Sequence, residues 1–372
     1  MIVAGEASGD AYGAALAREL LRQEPGLHLG GLGGPQMAAA GVKLMQDLAT
    51  HAVMGVAGLL GNLIGLLRAF RRITRELTIQ RPDAIVLIDF PEFNLKLAGR
   101  AKKLGVPVIY YVSPQVWAWR TGRIKTIARR VRKMLVLFEF EKELYERAGV
   151  DVTHVGHPLL DTLADKLGAV DRAAVRRSLG VPESGLLIGL LPGSRRKEIE
   201  HVYPVLLGAA EILRRELDDV TFVTAQAAAL GPEAFERIAA RYPVETTLVE
   251  DRTHDAMLAA DLLLVCSGTA TLEAALLGTP MVVTYQGDLL SYVIFGSLVR
   301  PGPLALVNIV AGERVVPECY MIDATPGKIA AAALELIGAG LDETRRRLGV
   351  VRRKLGRPGA STRAAAEILK IL

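Results

Sequence analysis

Residues 260–283 read Ala260-Asp261-Leu262-Leu263-Leu264-Val265-Cys266-Ser267-Gly268-Thr269-Ala270-Thr271-Leu272-Glu273-Ala274-Ala275-Leu276-Leu277-Gly278-Thr279-Pro280-Met281-Val282-Val283. The apolar run from Ala260 to Val265 has the length of a buried strand. The stretch after the turn has helical character, closes at Gly278 and Pro280, and gives way to a second apolar run at Met281. The unit is strand, turn, helix, strand. In the turn Ser267-Gly268-Thr269-Ala270-Thr271, hydroxyls flank a permissive glycine, so backbone N–H groups at the helix start are open to close approach by an anion. Those N–H groups and the helix dipole suit a diphosphate, and Glu273 stands early enough in the helix to accept hydrogen bonds from sugar hydroxyls. The same residues also make an ordinary capped turn, and the turn alone does not choose between the two.

Working outward, the second half of the chain repeats the plan. Strands are expected at Leu186 to Leu191, Val220 to Thr224, Thr246 to Val249, Asp261 to Val265 and Met281 to Thr284. The Pro192-Gly193-Ser194-Arg195 turn follows the first of these, so Ser194 and Arg195 lie at a strand's carboxyl end, where open α/β sheets place their ligands. Arginine suits a diphosphate because its planar fork meets phosphate oxygens in pairs. The first half has the same alternation, with Ile2-Val3-Ala4 running into Gly5-Glu6-Ala7-Ser8-Gly9-Asp10, and Ile85 to Ile88 running into Asp89-Phe90-Pro91-Glu92-Phe93-Asn94. The polar connection Asp161 to Val181 separates the halves. The expected fold is α/β, two Rossmann-like doubly wound domains facing a cleft.

Composition agrees with a chain of 372 residues in two domains, with 51% hydrophobic residues and 5% aromatics. The net charge of +5 is concentrated in Arg68 to Arg75, Arg120 to Lys133 and Arg345 to Arg357. Such clusters suit nucleic acid, an anionic membrane surface or a phosphorylated substrate, and charge alone does not decide. Both tryptophans, Trp117 and Trp119, are confined to one loop instead of being spread along a groove, which argues against nucleic acid. Two cysteines make no disulfide framework, no Cys/His spacing resembles a zinc site, and no dinucleotide fingerprint or Walker A sequence occurs. No metal or other cofactor is expected. The chain begins almost within its first strand, and its longest apolar run, Ala52 to Leu67, is broken by Asn62 and glycines and is short for a membrane span. Val53, Met54, Val56, Leu59, Leu60, Leu63, Leu66 and Leu67, followed by Arg68, instead suit a bilayer interface or an acyl-chain groove, although a core helix with a basic face has the same pattern.

Several motifs together carry a resemblance. Gly5-Glu6-Ala7-Ser8-Gly9-Asp10, Val53-Met54-Gly55, the stretch 88–94, Tyr111-Val112-Ser113-Pro114-Gln115-Val116-Trp117-Ala118-Trp119, Val155-Gly156-His157, Leu191-Pro192-Gly193-Ser194-Arg195, Ser267 to Glu273 and Asn308 resemble the lipid-A-disaccharide synthase family across essentially the whole chain. The resemblance implies a GT-B glycosyltransferase. It would join UDP-2,3-diacylglucosamine to 2,3-diacylglucosamine 1-phosphate (lipid X) with inversion, giving the β-1,6 lipid A disaccharide and UDP. A UDP-N-acetylglucosamine 2-epimerase-like enzyme is the alternative. The family's Asp-Ala-Pro-Asp-Phe-Asn stretch reads Asp89-Phe90-Pro91-Glu92-Phe93-Asn94 here, with the first Asp unchanged and the second carboxylate kept in kind.

On this basis Asp89 is the candidate general base, with Glu6 second, although Asp89 also suits an N-cap. Arg195 would stabilise the leaving diphosphate without a metal. Ser194, Ser267, Gly268, Thr269, Ala270, Thr271, Glu273 and Asn308 complete the substrate-binding set, and His157 is expected to be structural. Residues 1–165 would form an N-terminal acceptor- and membrane-side domain. Residues 166–345 would form a C-terminal UDP-sugar-binding domain, with 346–372 a helical tail returning to the N-terminal one. The expected location is the cytoplasmic face of the inner membrane, on an anionic surface.

Overall fold

The computed structural model describes residues 1–5, 7–47, 59–117, 122–168, 170–226, 231–286 and 302–372. Two compact units account for the chain, one of Met1–Asp161 with Leu355–Leu372 and the other of Thr162–Lys354. Residues 346–354 therefore stay with the second unit, because the helix Leu341–Lys354 runs through them without a break. Only the stretch from Leu355 belongs to the first.

The first unit holds a seven-stranded sheet of β1 (Ile2–Ala4), β2 (Gly30–Gly33), β3 (Lys43–Asp47), β4 (Ile85–Ile88), β5 (Val108–Tyr111), β6 (Lys133–Val136) and β7 (Val152–His154), in the order β3-β2-β1-β4-β5-β6-β7. Every pairing in it is parallel. Its central strands are buried on both faces, which explains why they read as unbroken aliphatic runs instead of alternating patterns. The chain's last helix, Ala360–Leu369, packs on the first, Ala7–Gln23. Asp161 fixes its start by accepting the N–H groups of Gly359 and Ala360. That carboxylate does the work of an N-cap from outside the helix.

The second unit holds a six-stranded parallel sheet of β8 (Leu186–Leu191), β9 (Val220–Gln226), β10 (Thr247–Glu250), β11 (Leu262–Cys266), β12 (Met281–Tyr285) and β13 (Glu318–Tyr320), in the order β10-β9-β8-β11-β12-β13. The opening stretch has the expected form. Fully buried β11 leads to the helix Ala270–Leu277, which ends at Gly278 in the left-handed conformation (φ 77°) before β12 begins. Each sheet reverses its strand order once, between β1 and β4 and between β8 and β11, as Rossmann-like sheets do.

The sequence reading placed no strand at β2, β3 or β13. In β2, a Cβ on Gly31 would come within 1.7 Å of the Ile2 carbonyl oxygen. Glycine is required there for strand contact, and the same composition conceals the strand. β3 is polar at both ends, and β13 is only three residues long.

One ion cluster ties the amino ends of the second sheet to the connecting segment. Asp261 accepts hydrogen bonds from Arg172 (2.8 Å), from the 5%-exposed Arg176 (2.8 Å) and from the Leu187 N–H (2.9 Å). Burial alone would raise its pKa, but the Leu187 bond and the two guanidinium groups prevail and hold it below its ordinary value of 3.8. A depressed carboxylate contributes stability that is full above the unfolded-state pKa and is lost as pH falls from there through the lower folded-state pKa. Asp261→Asn should therefore lower stability near pH 7 by about 3–5 kcal/mol, the cost of leaving a buried guanidinium unpaired. It should also flatten the acid decline of Tm below about pH 4. Thermal unfolding of both proteins across that range checks this.

Candidate active site

In the first unit the carboxyl ends of β1 and β4 flank the order reversal. β4 ends in Asp89 and Phe90, both with positive φ (44° and 47°), and the neighbouring β5 ends in Val112 at φ 66°. Non-glycine residues seldom take this conformation, least of all a β-branched one, and such strain is kept at functional sites. Its restraints are visible. The Asp89 N–H donates to the Tyr111 carbonyl (3.1 Å), while the Asp89 carbonyl accepts the Asn94 amide (2.8 Å) and the Tyr110 hydroxyl (2.6 Å). Burial, then the Asp89 charge, holds the Tyr110 phenol well above its usual range, so it stays a donor. The cap position of the helix Pro91–Lys103 is Phe90, not Asp89, so capping does not account for the aspartate. Phe90 lies over Gly5, where a Cβ would fall 2.3 Å from its ring, and stacks on Phe93 at 5.4 Å. Glu6 lies outside the described residues.

The motif Asp10 is structural. It is 2% exposed and accepts the N–H groups of Gly34 (2.8 Å), Gln36 (3.0 Å) and Met37 (3.0 Å), which starts the helix Pro35–Ala39. His157 is buried between Tyr12 and Phe138, and burial pulls its pKa down to about 3, so it is a neutral packing residue.

In the second unit β8 and β11 flank the reversal. After β8, Gly193 turns with φ 112°, and Arg195 caps the long helix Arg196–Glu216. Glu198 reaches back over this turn. It accepts the N–H groups of Ser194 (3.1 Å) and Arg195 (3.2 Å) and pairs with the Arg195 guanidinium (2.9 Å). The Arg195 side chain is 71% exposed. After β11, Ser267 accepts the Tyr320 hydroxyl (2.9 Å), Thr271 bonds back to the Gly268 carbonyl (2.9 Å), and a Cβ on Gly268 would meet nothing within 4 Å. The turn leaves room beside its glycine. Burial, then the Glu198 charge, pushes the Cys266 thiol up to about 12, so it is no nucleophile.

Glu273 is bonded to His254 (3.3 Å), a residue that sequence reasoning did not single out because it enters from the separate helix Thr253–Ala259. Asn308 departs from expectation. It sits on the helix Leu306–Ala311, is fully buried, and donates to Val316 O (2.9 Å) and Glu318 (2.8 Å) while accepting from the N–H groups of Val315 (2.8 Å) and Val316 (3.1 Å). An amide has four such bonds to make, so direct substrate contact by this side chain gives way to an internal positioning role.

The helix Leu59–Gln80 exposes Leu66 (37%) and Leu67 (49%) beside exposed Arg68, Arg71, Arg72 and Arg75. Val53, Met54 and Val56, and the side chains of Leu59, Leu60 and Leu63, lie outside the described residues. No described helix is long and apolar enough to cross a membrane.

A family model described as lipid-A-disaccharide synthetase matches residues 1–370. The Lipid-A-disaccharide synthase of Geobacter sulfurreducens is 44% identical over 378 residues, covering 100% of this chain and 97% of the relative. The chain belongs to the lipid-A-disaccharide synthase family. Like that family, it is a glycosyltransferase that forms the lipid A disaccharide. Among solved structures, MurG of Acinetobacter baumannii superposes with a TM-score of 0.58 at 15% identity, covering 100% of this chain and 98% of that one. The UDP-GlcNAc 2-epimerase of Neisseria meningitidis superposes with 0.64 at 14%, covering 97% of each. At such identities the likeness is one of fold, and the epimerase alternative keeps only the shared architecture while lipid-A-disaccharide synthases match in sequence from end to end.

Proposed function

We propose that the chain transfers the diacylglucosaminyl group of UDP-2,3-diacylglucosamine to the 6-hydroxyl of lipid X with inversion, leaving UDP and a β-1,6 linkage. The observation that carries this reading is the placement of the candidate residues. Asp89 follows β4 in the first sheet, and Ser194, Arg195 and residues 267–273 follow β8 and β11 in the second, each of these strands flanking an order reversal, where doubly wound sheets bind ligands. Asp89 takes the proton of the attacking hydroxyl, with Glu6 the second candidate for that role. Arg195 and the N–H groups at the start of the helix Ala270–Leu277 offset the charge that grows on the departing diphosphate. Ser194, Ser267, Gly268, Thr269, Ala270 and Thr271 line the approach, and Glu273, held by His254, accepts ribose hydroxyls. Asn308 acts indirectly, by holding Glu318. The chemistry requires no metal.

Release of UDP tests this against epimerisation. With UDP-2,3-diacylglucosamine alone, UDP should stay at the hydrolytic background, and adding lipid X should release one UDP per disaccharide. Acceptor-independent conversion of the donor to its 2-epimer would overturn the reading.

Both substrates carry acyl chains, so the helix Leu59–Gln80 is proposed to rest on the cytoplasmic face of the inner membrane, with its leucines in the apolar boundary and its arginines among anionic headgroups. Burying two leucines in that boundary is worth a few kcal/mol, so changing Leu66 and Leu67 to Ser should weaken binding to anionic vesicles by about tenfold or more. Unchanged co-sedimentation would remove this helix from the membrane contact.

A further inference from the structure

We propose that Tyr320 is a positioning residue for the UDP end of the site: its hydroxyl occupies one side of the Ser267 oxygen and leaves the serine hydrogen to be donated to a diphosphate oxygen of the UDP-sugar. The proposal rests on the reading of the turn after β11 as the diphosphate side, given above. Tyr320 closes β13, at the edge of the second sheet, and pairs in register with Tyr285 of β12. Ser267 follows β11, and its N–H donates to the Thr284 carbonyl of β12 (2.8 Å). Two strand spacings, about 10 Å, separate β13 from β11. A tyrosine spans that gap with its ring and carries a polar tip to the far side, where the Tyr320 hydroxyl donates to Ser267 Oγ at 2.9 Å. Burial above all lifts the Tyr320 phenol over its usual range, against the opposing Ser267 bond, so it remains a donor.

A serine hydroxyl has one hydrogen and two lone pairs. At Ser267 one lone pair takes the tyrosine O–H, so the hydrogen cannot point back at Tyr320, and no described residue accepts it in a hydrogen bond. The other hydroxyls of the turn differ. Thr271 spends its hydrogen on the Gly268 carbonyl (2.9 Å), and Thr269 is exposed and makes no side-chain bond to the helix start that follows it. Ser267 is half-buried beside Gly268, where a Cβ would meet nothing within 4 Å, so the space in front of the turn is open. A hydroxyl that receives a hydrogen bond is a stronger donor, because its own O–H is polarised. The acceptor that such a donor suits is an ionised oxygen, with which a hydrogen bond is about twice as strong as with a neutral one. Phenylalanine at position 320 would keep the ring and its packing and free the serine hydroxyl to rotate.

UDP carries the charge that the leaving group acquires, so its affinity reads this contact without the transfer step. Calorimetric titration of UDP into the full chain compares wild type, Tyr320→Phe, Ser267→Ala and the double variant. Ser267→Ala should weaken UDP binding about tenfold or more, the scale of a hydrogen bond to a charged group, and Tyr320→Phe about three- to tenfold, the scale of a neutral one. The double variant should bind UDP as Ser267→Ala does, because the tyrosine acts only through the serine. KM for lipid X should stay within about twofold of wild type in Tyr320→Phe, since only the UDP end is touched. Losses that multiply in the double variant would make Tyr320 a packing residue and overturn the proposal, as would a Tyr320→Phe or Ser267→Ala protein that binds UDP like wild type. A wild type without affinity for UDP overturns the proposal and the functional reading together. A wild type that binds UDP and closes the cycle as expected, but makes no disaccharide from the two substrates, sinks the transferase reading and leaves the assignment of Tyr320 standing.

Discussion

On the proposed role of Asp89, Asp89→Asn should lower kcat for disaccharide formation by about 10²–10⁴-fold, the contribution of a well-placed general base, with KM for both substrates within a few-fold of wild type. Asparagine has the size of aspartate and tolerates the left-handed conformation that Asp89 adopts, so the turn survives and only the proton acceptor is lost. Tyr111, Tyr110 and Asn94 hold its backbone through hydrogen bonds that asparagine keeps. Steady-state kinetics with both substrates varied separates the outcomes. A raised KM at unchanged kcat would assign Asp89 to binding that is equal in the ground and transition states.

Arg195→Ala should be the second large effect, about 10²–10³-fold in kcat on the proposed role of Arg195, the scale of removing one preorganised donor to developing charge. Lysine at this position should recover only part of the loss, because a point charge does not reproduce the paired contacts of a guanidinium. The Arg195 side chain is 71% exposed and pairs with Glu198, three residues along the same helix start. An exposed pair of that kind contributes little to folding, so Tm should hardly move in either variant. Circular dichroism melts beside the kinetics would expose a loss of activity that is only a loss of structure.

How much of this was visible beforehand depends on where each signal lies. The segment 260–283 is legible because every step of it is local: an aliphatic run, a small-residue turn, a helix, a glycine in the left-handed conformation and another aliphatic run. The glycine-rich β2 was hidden because Gly31 answers to a carbonyl of β1, a contact made across a sheet that sequence does not display. Asp89 and Arg195 became candidates through the family resemblance and their positions after strands, yet the left-handed turn at Asp89 and the hold of Glu198 on Arg195 are three-dimensional facts. His254 meets Glu273 from 19 positions away in the chain. Asn308 shows the opposite error, since a polar residue expected to meet a ligand spends all its hydrogen bonds within its own unit.

The most direct measurement is a single turnover with enzyme in excess over UDP-2,3-diacylglucosamine, lipid X added, and disaccharide counted by mass spectrometry for wild type and Asp89→Asn side by side. Wild type should convert its bound donor to β-linked disaccharide, while the variant holds the same donor and forms product slower by about two orders of magnitude or more. Equal rates in the two proteins would mean that Asp89 takes no proton from the acceptor.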